Sequence, residues 1–426
     1  MIRLATVFSG IGAIEQALLR LNIPHEIVFA CDNGDVELTL FDKATKKEYA
    51  DLKTKRGKRS LSPEEKTRLE ELSLQENQLA EDVRARVRAL ATPIEKKEYV
   101  DSLYANNSKK VNHVQKTYQA NYSIDPNHFH QDIRFLDGRD YNGQVDLLVG
   151  GSPCQAFSTV GAQSGLNDTR GTLFYEFARI VQEVQPRVFI FENVRGLTTH
   201  DNGNTWKVIQ HIFRDELHYD ISEPQLLNAS DYGIPQTRRR VFVVGIRRDE
   251  TYQPFNYPAP QPLAFTMQDF LENNCADGQF GYNQDGTIYA NPVPGVPDPK
   301  YILSEKVRDY VLCSGTKTFK TSTKTDLPIA RTLVKTMTQH HRAGVDNYIT
   351  VEGEGDKRTL RALTARECLR LMGYPDTFKI VVSSPMIYRQ AGNSIVVDVM
   401  MAVVREIINT QVFATRNVYI NNDTIF

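Results

Sequence analysis

The sequence has little cysteine, and none of it is arranged for cross-linking. Its 426 residues include five cysteines, an odd number with no C-x-x-C pair. This pattern excludes a disulfide framework and argues against a structural zinc site. The pair His340–His341 has no acidic or cysteine partner beside it, so we expect no metal site. We expect a protein of a reducing compartment, the cytoplasm.

Long apolar runs and an excess of one charge are also missing. The most apolar segment, SIVVDVMMAVV, is interrupted by Asp398 and is too short to span a bilayer. The opening IRLATVF predicts a strand and not a secretory leader. With 51 Lys and Arg against 52 Asp and Glu, the formal net charge is -1. This balance neither requires nor excludes nucleic acid, because a neutral protein can carry a basic cleft. We expect a soluble protein with no membrane contact.

What is present is an α/β rhythm. Short apolar segments that predict strands are RLATVF, HEIVFACD, QVDLLVGG, PRVFIFENV and RRRVFVVGIRR. Amphipathic helices are predicted for GAIEQALLRLN and TLFYEFARIVQEV, and a further helix from an N-cap at Thr364 to Gly373. A last helix should bury one face, formed by Val396, Val399, Met400, Val403 and Ile407. The fold class is therefore α/β.

The residue composition changes at two places along the chain. From about 43 to 112 the sequence is polar and helical, with Ser62, Pro63 and Glu65 forming a helix start. The basic run KTKRGKR inside it either binds phosphates or is a solvated face. Further on, YPAPQP and NPVPGVPDP mark the exit from a compact domain. We expect a catalytic domain at 1–250 that carries this insertion, a smaller domain at 251–345, and a segment at 346–426 that returns to the first domain.

A glycine turn and an acidic residue predict a nucleoside-containing cofactor. VFSGIG lies between the first strand and the first helix, where glycines let backbone N–H groups approach a ligand. The second strand ends in CDNGD, which places Asp32 where it can accept hydrogen bonds from a ribose diol. The glycine pattern alone is equally compatible with a plain tight turn.

Polar residues follow several strands at one sheet edge. Cys154 comes directly after the strand DLLVGG, and Glu192 ends the next strand. The segment QTRRR then brings Gln236, Arg238 and Arg240 to the same edge. A lone cysteine is usually structural, but a thiol, a carboxyl group and guanidinium groups at one edge form a candidate nucleophilic site.

Six segments, in this order, resemble the motifs of DNA cytosine-5 methyltransferases, especially the compact bacterial modification enzymes. They are FSGIG, PCQ, ENV, QTRRR, RALTARECLRLMGYPD and QAGNSIVV. The resemblance implies a Rossmann-like sheet of the S-adenosylmethionine-dependent methyltransferases, with a smaller target-recognition domain.

The resemblance also implies the chemistry. Cys154 would attack C6 of a cytosine flipped out of the duplex, so that C5 can take a methyl group. Glu192 would bond N3 and the exocyclic amine, and Arg240 would contact O2. Arg238 would support the same loop and the thiolate.

The methyl donor implied by the resemblance is S-adenosyl-L-methionine. Asp32 would hold its ribose and Asp132 its adenine amine. Asn33 stands where the family often has an aromatic residue, so adenine stacking must come from elsewhere or be weaker. The full set of expected cofactor-binding residues is Phe8, Gly10, Ile11, Gly12, Asp32, Asn33, Asp132, Ile133, Pro153, Leu173, Asn393 and Ile395.

Double-stranded DNA is the expected partner. The segment between the proline-rich break and Thr332 would read one recognition sequence through loops in the major groove. The expected DNA-binding residues are Gln155, Ser158, Arg170, Lys317, Thr332 and Arg342. We further expect a monomer, with a cognate restriction endonuclease encoded nearby.

Two other interpretations stay open. One is a tRNA cytosine-5 methyltransferase of the same fold, and the other is a DNA-binding regulator without catalysis. Enzymes that methylate exocyclic amines of DNA are disfavoured, because the sequence contains no D-P-P-Y or N-P-P-Y tetrapeptide.

Overall fold

The computed structural model describes residues 1–58, 60–152, 173–283, 287–290, 293–315, 320, 322–351 and 359–414. Its strands are β1 (Ile2–Val7), β2 (His25–Cys31), β3 (Phe129–His130), β4 (Leu147–Gly150), β5 (Val188–Val194), β6 (Tyr219–Ile221), β7 (Gln225–Asn228), β8 (Gln236–Thr237), β9 (Arg239–Arg247), β10 (Phe280–Tyr282), β11 (Ile288–Ala290), β12 (Ala330–Arg331), β13 (Tyr348–Val351) and β14 (Thr359–Ala362). Its α-helices are α1 (Ala13–Arg20), α2 (Lys43–Lys58), α3 (Pro63–Ala89), α4 (Pro93–Asn107), α5 (His113–Asn121), α6 (Leu173–Val184), α7 (Asn204–His211), α8 (Glu305–Leu312), α9 (Ala365–Arg370), α10 (Ser384–Asn393) and α11 (Val397–Asn409).

A sheet of eight strands forms the centre, in the order β3-β2-β1-β4-β5-β9-β6, with β7 also paired to β9. The first five strands in this order are parallel. Strand β9 runs antiparallel to β5, so its first residues lie beside the carboxyl end of β5. The predicted Rossmann-like α/β fold is confirmed.

Alternate residues of the strands face two helical layers. Leu4, Leu147 and Ile190 belong to the apolar core shared with α1 and α11, while Ala5 and Phe189 belong to the core shared with α6 and α7. This alternation follows from the two-residue repeat of a strand. Both faces are therefore covered, as a mostly parallel sheet requires.

The terminal helix completes one layer. All five residues of its predicted face are buried, and the helix packs against α1. An ion pair between Arg20 and Asp398, 2.8 Å apart, joins the two helices. The N-cap at Thr364 is also confirmed, with Glu367 completing a capping box. The predicted end of that helix at Gly373 was wrong. Helix α9 stops at Arg370 because the chain then tightens into turns, with the N–H of Gly373 donating to the carbonyl of Arg370.

Residues 43–107 are mostly helical. The predicted capping box at Ser62 and Glu65 is confirmed and starts α3, a helix of 27 residues. Helices α2 and α3 share a small core that includes Tyr49 and Leu72. In the basic run KTKRGKR, Lys53 lies near Glu76 and Lys55 bonds Glu65. Two of its charges thus have acidic partners within the same helical segment.

The region after β9 holds the short strands β10 to β14 and helix α8. One apolar cluster there contains Leu303, Val311, Ala343, Tyr348 and Leu360, so its members come from both sides of the boundary expected at 345. The division into 1–250, 251–345 and 346–426 stays a prediction. Within the described parts of the chain, no helix has both the length and the apolar composition needed to cross a bilayer.

Candidate active site

Strands β5 and β9 bring a carboxyl group and a guanidinium group together. Glu192 is near the end of β5, and the antiparallel register pairs Val194 with Arg240 at the start of β9. Arg240 Nε lies 3.1 Å from Glu192 Oε1, and the Glu192 side chain is only 12% exposed. The two residues expected at the same sheet edge lie together there, and they form an ion pair that the sequence did not predict.

Strand β4 leads directly to this pair. A Cβ placed on Gly151 would lie 2.5 Å from Glu192 Oε2, so only glycine lets the chain pass this close to the carboxyl group. The next residue, Ser152, is held by Asn193, whose Nδ2 donates to the Ser152 carbonyl at 3.0 Å and lies 3.3 Å from its Oγ. Gly151 and Ser152 are thus fixed beside Glu192, and Ser152 is two residues before Cys154 in the sequence.

Burial and the nearby charges act in opposite directions on the pKa of Glu192. Burial raises the pKa of its carboxyl group, while the charges of Arg240 and Arg238 oppose that rise. A carboxyl group that keeps its proton can donate a hydrogen bond to a ring nitrogen. The site therefore combines a carboxyl group of raised pKa with a guanidinium group.

Arg238 lies behind this pair and is 3% exposed. Its guanidinium donates to the carbonyl oxygens of Leu333, Gly392 and Ser394. Burial, together with repulsion by Arg240, lowers its pKa to about 9. The described contacts make Arg238 a junction between the start of β9, the chain after β12 and the end of α10.

The cofactor side lies at the carboxyl ends of β1, β2 and β3. Gly10 and Gly12 both have positive φ, and a Cβ on Gly10 would meet nothing within 4 Å, which leaves open space at this turn. The Asp32 carboxylate accepts one N–H at each oxygen, from Gly10 at 2.9 Å and from Gly34 at 2.7 Å. Each oxygen keeps a lone pair for a ribose hydroxyl. These residues fit the nucleoside part of S-adenosylmethionine.

Asp132 has much stronger partners than Asp32. Burial opposes its charge, but Arg134 and hydrogen bonds from Arg134 and Tyr104 lower the pKa of its carboxyl group. Arg134 Nη2 lies 2.7 Å and Tyr104 Oη 2.8 Å from Asp132 Oδ2. By contrast, burial raises the pKa of Asp32. These partners hold Asp132 as an anion.

The other predicted positions divide into three groups. Ile11 and Ile133 are buried, Phe8 and Ile395 are half-buried, and Asn33 and Asn393 are exposed. Leu173 is half-buried at the start of α6. Of the expected DNA-binding residues, Thr332 donates to the Thr237 carbonyl, and the Arg342 guanidinium lies 5.5 Å from the centre of the Tyr310 ring. Outside the described residues lie Pro153, Cys154, Gln155, Ser158, Arg170 and Lys317.

Sequence reasoning missed Tyr104. It lies in α4, which belongs to the segment that was interpreted as an insertion without an assigned role. A tyrosine in a polar helix gives no sequence signal of a distant carboxylate partner. The sequence also did not predict the bond from Asn193 to Ser152, although the motif ENV contains the residue.

Comparisons with known proteins identify the family of the chain. The family model described as C-5 cytosine-specific DNA methylase matches residues 81–409. The chain is 33% identical over 304 residues to the type II methyltransferase M.HpaII of Haemophilus parainfluenzae, covering 69% of this chain and 80% of the relative. It is 32% identical over 300 residues to M.HhaI of Haemophilus parahaemolyticus, covering 70% and 85%.

Solved structures give the same fold. The crystal structure of the S. pombe Dnmt2 methyltransferase matches with a TM-score of 0.55 at 16% identity, covering 95% of this chain and 97% of that one. An Entamoeba histolytica methyltransferase, EhMeth, matches with a TM-score of 0.52 at 15% identity, covering 96% and 98%. The chain therefore belongs to the C-5 cytosine-specific DNA methylase family and is a DNA (cytosine-5-)-methyltransferase, with S-adenosyl-L-methionine as its methyl donor.

Proposed function

We propose that the enzyme methylates C5 of a cytosine that is flipped out of a specific duplex sequence, through a covalent bond between Cys154 and C6. The observation that carries the proposal is the ion pair of Glu192 and Arg240 beside the chain that leads to Cys154. Cytosine inside a duplex is stacked, so reaching its C6 requires extrusion of the base.

Each residue at this edge has a defined task. The Cys154 thiolate adds to C6, and the C5–C6 electron pair becomes available at C5. Glu192 holds its proton toward N3 of the base, which makes C6 more electrophilic. Arg240 contacts O2 and balances charge that develops on the ring. After the methyl group is attached, the C5 proton leaves to solvent and the bond between sulfur and C6 breaks.

The carboxyl ends of β1 to β3 bind the cofactor. S-adenosylmethionine supplies the methyl group when it is bound. Asp32 accepts hydrogen bonds from the ribose hydroxyls, and Asp132 accepts from the adenine amine. Gly10 keeps the turn after β1 open for the nucleoside, and Gly12 leaves room for the Tyr122 ring that packs against the turn.

The region after β9 reads the target sequence in the major groove. Thr332 and Arg342 are the described residues proposed to contact DNA. M.HpaII and M.HhaI are named type II methyltransferases. By analogy we propose that this enzyme is the modification partner of a restriction endonuclease and acts as a monomer.

The first experiment identifies the target and traps the intermediate. Bisulfite sequencing of DNA from an expressing host that lacks cytosine methylation gives the recognition sequence. A duplex with 5-fluorocytosine at the target position is then incubated with the enzyme and S-adenosylmethionine. Fluorine cannot leave as a proton, so we expect a denaturation-resistant adduct whose peptide map places DNA on Cys154.

The matched control is the exposed free cysteine Cys313. Cys154→Ser should form no adduct, whereas Cys313→Ser should react as wild type does. An adduct at any other residue, or none on the correct duplex, contradicts the mechanism. Methyl transfer to tRNA but not to duplex DNA would favour the RNA enzyme, and absence of both would favour the regulator.

A further inference from the structure

The helical segment contacts both loops that carry the proposed cofactor carboxylates. One buried apolar cluster, which we call the insertion cluster, joins Val36 and Leu38 after β2, Phe135 after β3, and side chains of α3 and α4. Its helical members are Val87, Val100 and Tyr104. Asp32 is four residues before Val36, and Asp132 is three residues before Phe135. The segment 43–107 is thus packed against the cofactor side of the sheet.

Ionic contacts fix these helices on the domain. Lys96 of α4 lies 2.8 Å from Asp137 and 2.7 Å from Asp140. Arg84 of α3 pairs with Glu176 of α6 at 2.5 Å. These side chains are mostly buried, so α3 and α4 are held in one position relative to the cofactor loops.

Within this frame Tyr104 reaches the Asp132 carboxylate. The tyrosine is 4% exposed and its hydroxyl donates to Oδ2 at 2.8 Å. The bond runs across 28 positions of the chain, from a helix to the loop after β3. It approaches the carboxylate from the protein interior.

Arg134 holds the same carboxylate from the other side. Its backbone N–H and Nε donate to Oδ1 at 3.0 and 3.1 Å, and Nη2 donates to Oδ2 at 2.7 Å. With Tyr104, these donors use the roughly four lone-pair directions of a carboxylate. An incoming amine must therefore share or replace a donor. The Arg134 side chain is 26% exposed, whereas Tyr104 is buried, so Arg134 is the donor on the solvent side that an incoming amine would meet.

We propose that Tyr104 is a positioning residue that fixes the Asp132 carboxylate for the adenine amine of the cofactor. The segment 43–107 thereby forms part of the cofactor site and determines its preference for adenine. The inference rests on the proposed role of Asp132, and it gives the helical segment a function in cofactor selection.

The test compares two ligands and two matched variants. Binding of S-adenosylhomocysteine and of its inosine analogue, which has a carbonyl oxygen in place of the amine, is measured by titration calorimetry. Tyr104→Phe removes only the hydroxyl. Tyr99→Phe is the control on the same helix, where the ring packs beside Arg86 and no described residue bonds the hydroxyl.

We expect wild type to prefer the adenosine ligand. Tyr104→Phe should raise its Kd about tenfold, as expected for one hydrogen bond to a charged group, and leave the Kd of the inosine ligand unchanged. The preference for adenine then falls by the same factor. Tyr99→Phe should keep both values.

The outcomes separate the inference from its premise. If wild type prefers adenosine and Tyr104→Phe keeps that preference, or weakens both ligands equally, Tyr104 is only structural and the inference is wrong. If wild type itself has no preference, the proposed role of Asp132 fails, and the inference fails with it. A preserved melting temperature in Tyr104→Phe confirms that the change in preference does not come from unfolding.

Discussion

Glu192 and Asp132 are two largely buried carboxyl groups at the same edge of the sheet, yet their pKa values move in opposite directions. Burial raises the pKa of Glu192, and the charges of Arg240 and Arg238 only reduce the rise. Burial also opposes ionisation of Asp132. In that case the charge and hydrogen bonds of Arg134 and the hydrogen bond from Tyr104 outweigh the effect of burial, so the pKa is lowered. Both carboxyl groups are buried, so the opposite directions of their pKa shifts come from their charged and hydrogen-bonding partners.

This contrast separates two tasks at one edge. On the proposed substrate side, Glu192 has a single ion-pair contact with Arg240 among the described residues, and burial raises the pKa of its carboxyl group. On the cofactor side, Asp132 has several donors and remains an acceptor. A change that removes a partner, or the carboxyl group itself, should therefore have different effects on the two sides.

The largest expected effect comes from Glu192→Gln, which keeps the shape of the side chain and removes the ionisable proton. We expect kcat to fall about 10²- to 10³-fold, in the range of general acid catalysis. The Kd of S-adenosylhomocysteine should stay the same, because Asp32 and Asp132 are untouched. Single-turnover methyl transfer and calorimetry measure the two quantities.

Glu223→Gln is the control for this variant. Glu223 pairs with Arg214 on the same domain, and its side chain is 74% exposed. It should behave as wild type does. Weaker cofactor binding in Glu192→Gln, with kcat preserved, would place Glu192 on the cofactor side and remove the contrast.

The position of Glu192 beside Arg240 could be predicted from sequence. Parallel strands end at one edge, and the strand that begins with QTRRR had to start there if it followed a sheet of this class. The same reasoning placed Asp32 beside the turn at Gly10, where the two residues share a hydrogen bond. Local pattern and strand direction suffice for residues at strand ends.

The contact of Tyr104 with Asp132 could not be predicted in this way. Helix α4 carries polar residues on most sides, and ion pairs such as that of Arg84 with Glu176 contribute to the docking of α3 and α4. When charged residues lie on most sides of a helix, the sequence does not show which side will be buried when the helix packs against the domain. The three carbonyl contacts of Arg238 are hidden for a similar reason, because they join segments about 95 and 155 residues away.

The next largest effect concerns the docking of the helices on the cofactor side. Lys96→Met leaves Asp137 and Asp140 without their shared ammonium, although Asp137 keeps Arg139. We expect a loss of about 2 kcal/mol in the free energy of unfolding, less than for a buried carboxylate left with no partner. Urea denaturation measures this loss.

Lys97→Met is the neighbouring control, since Lys97 pairs with Asp101 one turn away in the same helix. It should cost less than Lys96→Met, because Lys97 loses one carboxylate partner and Lys96 loses two. Equal losses in the two variants would mean that the contacts of Lys96 with Asp137 and Asp140 add no more to the free energy of unfolding than an ion pair within one helix. A fall in kcat for Lys96→Met, with stability preserved, would connect the helices to the substrate side.

Asp32 shares one property with each of the other two carboxyl groups. It lies on the proposed cofactor side, as Asp132 does, but burial raises its pKa, as it raises that of Glu192. Its proposed role depends on its free lone pairs. We expect Asp32→Asn to raise the KM for S-adenosylmethionine about tenfold, the value of one hydrogen bond to a charged group, with kcat close to that of wild type. Initial rates at varied cofactor concentration separate the two constants.

Asp35→Asn, three residues further along the same loop, is the matched control. Asp35 is exposed and lies 3.6 Å from Arg389. Its KM should not change. If Asp32→Asn lowered kcat and left KM unchanged, Asp32 would act in the chemical step and not in holding the ribose.

The smallest expected effect is a shift in pH dependence. In the proposed mechanism transfer uses the protonated Glu192, so the rate should fall as pH rises through its raised pKa. Arg240 lowers that pKa, so Arg240→Gln should let the proton persist to higher pH and move the alkaline limb of the single-turnover rate upward, by less than about one unit for a partly solvated pair. Arg240→Lys keeps the charge and should leave the limb near its wild-type position, even if the rate is lower. A limb that moves downward, or one that persists in Glu192→Gln, would assign the titration to another group.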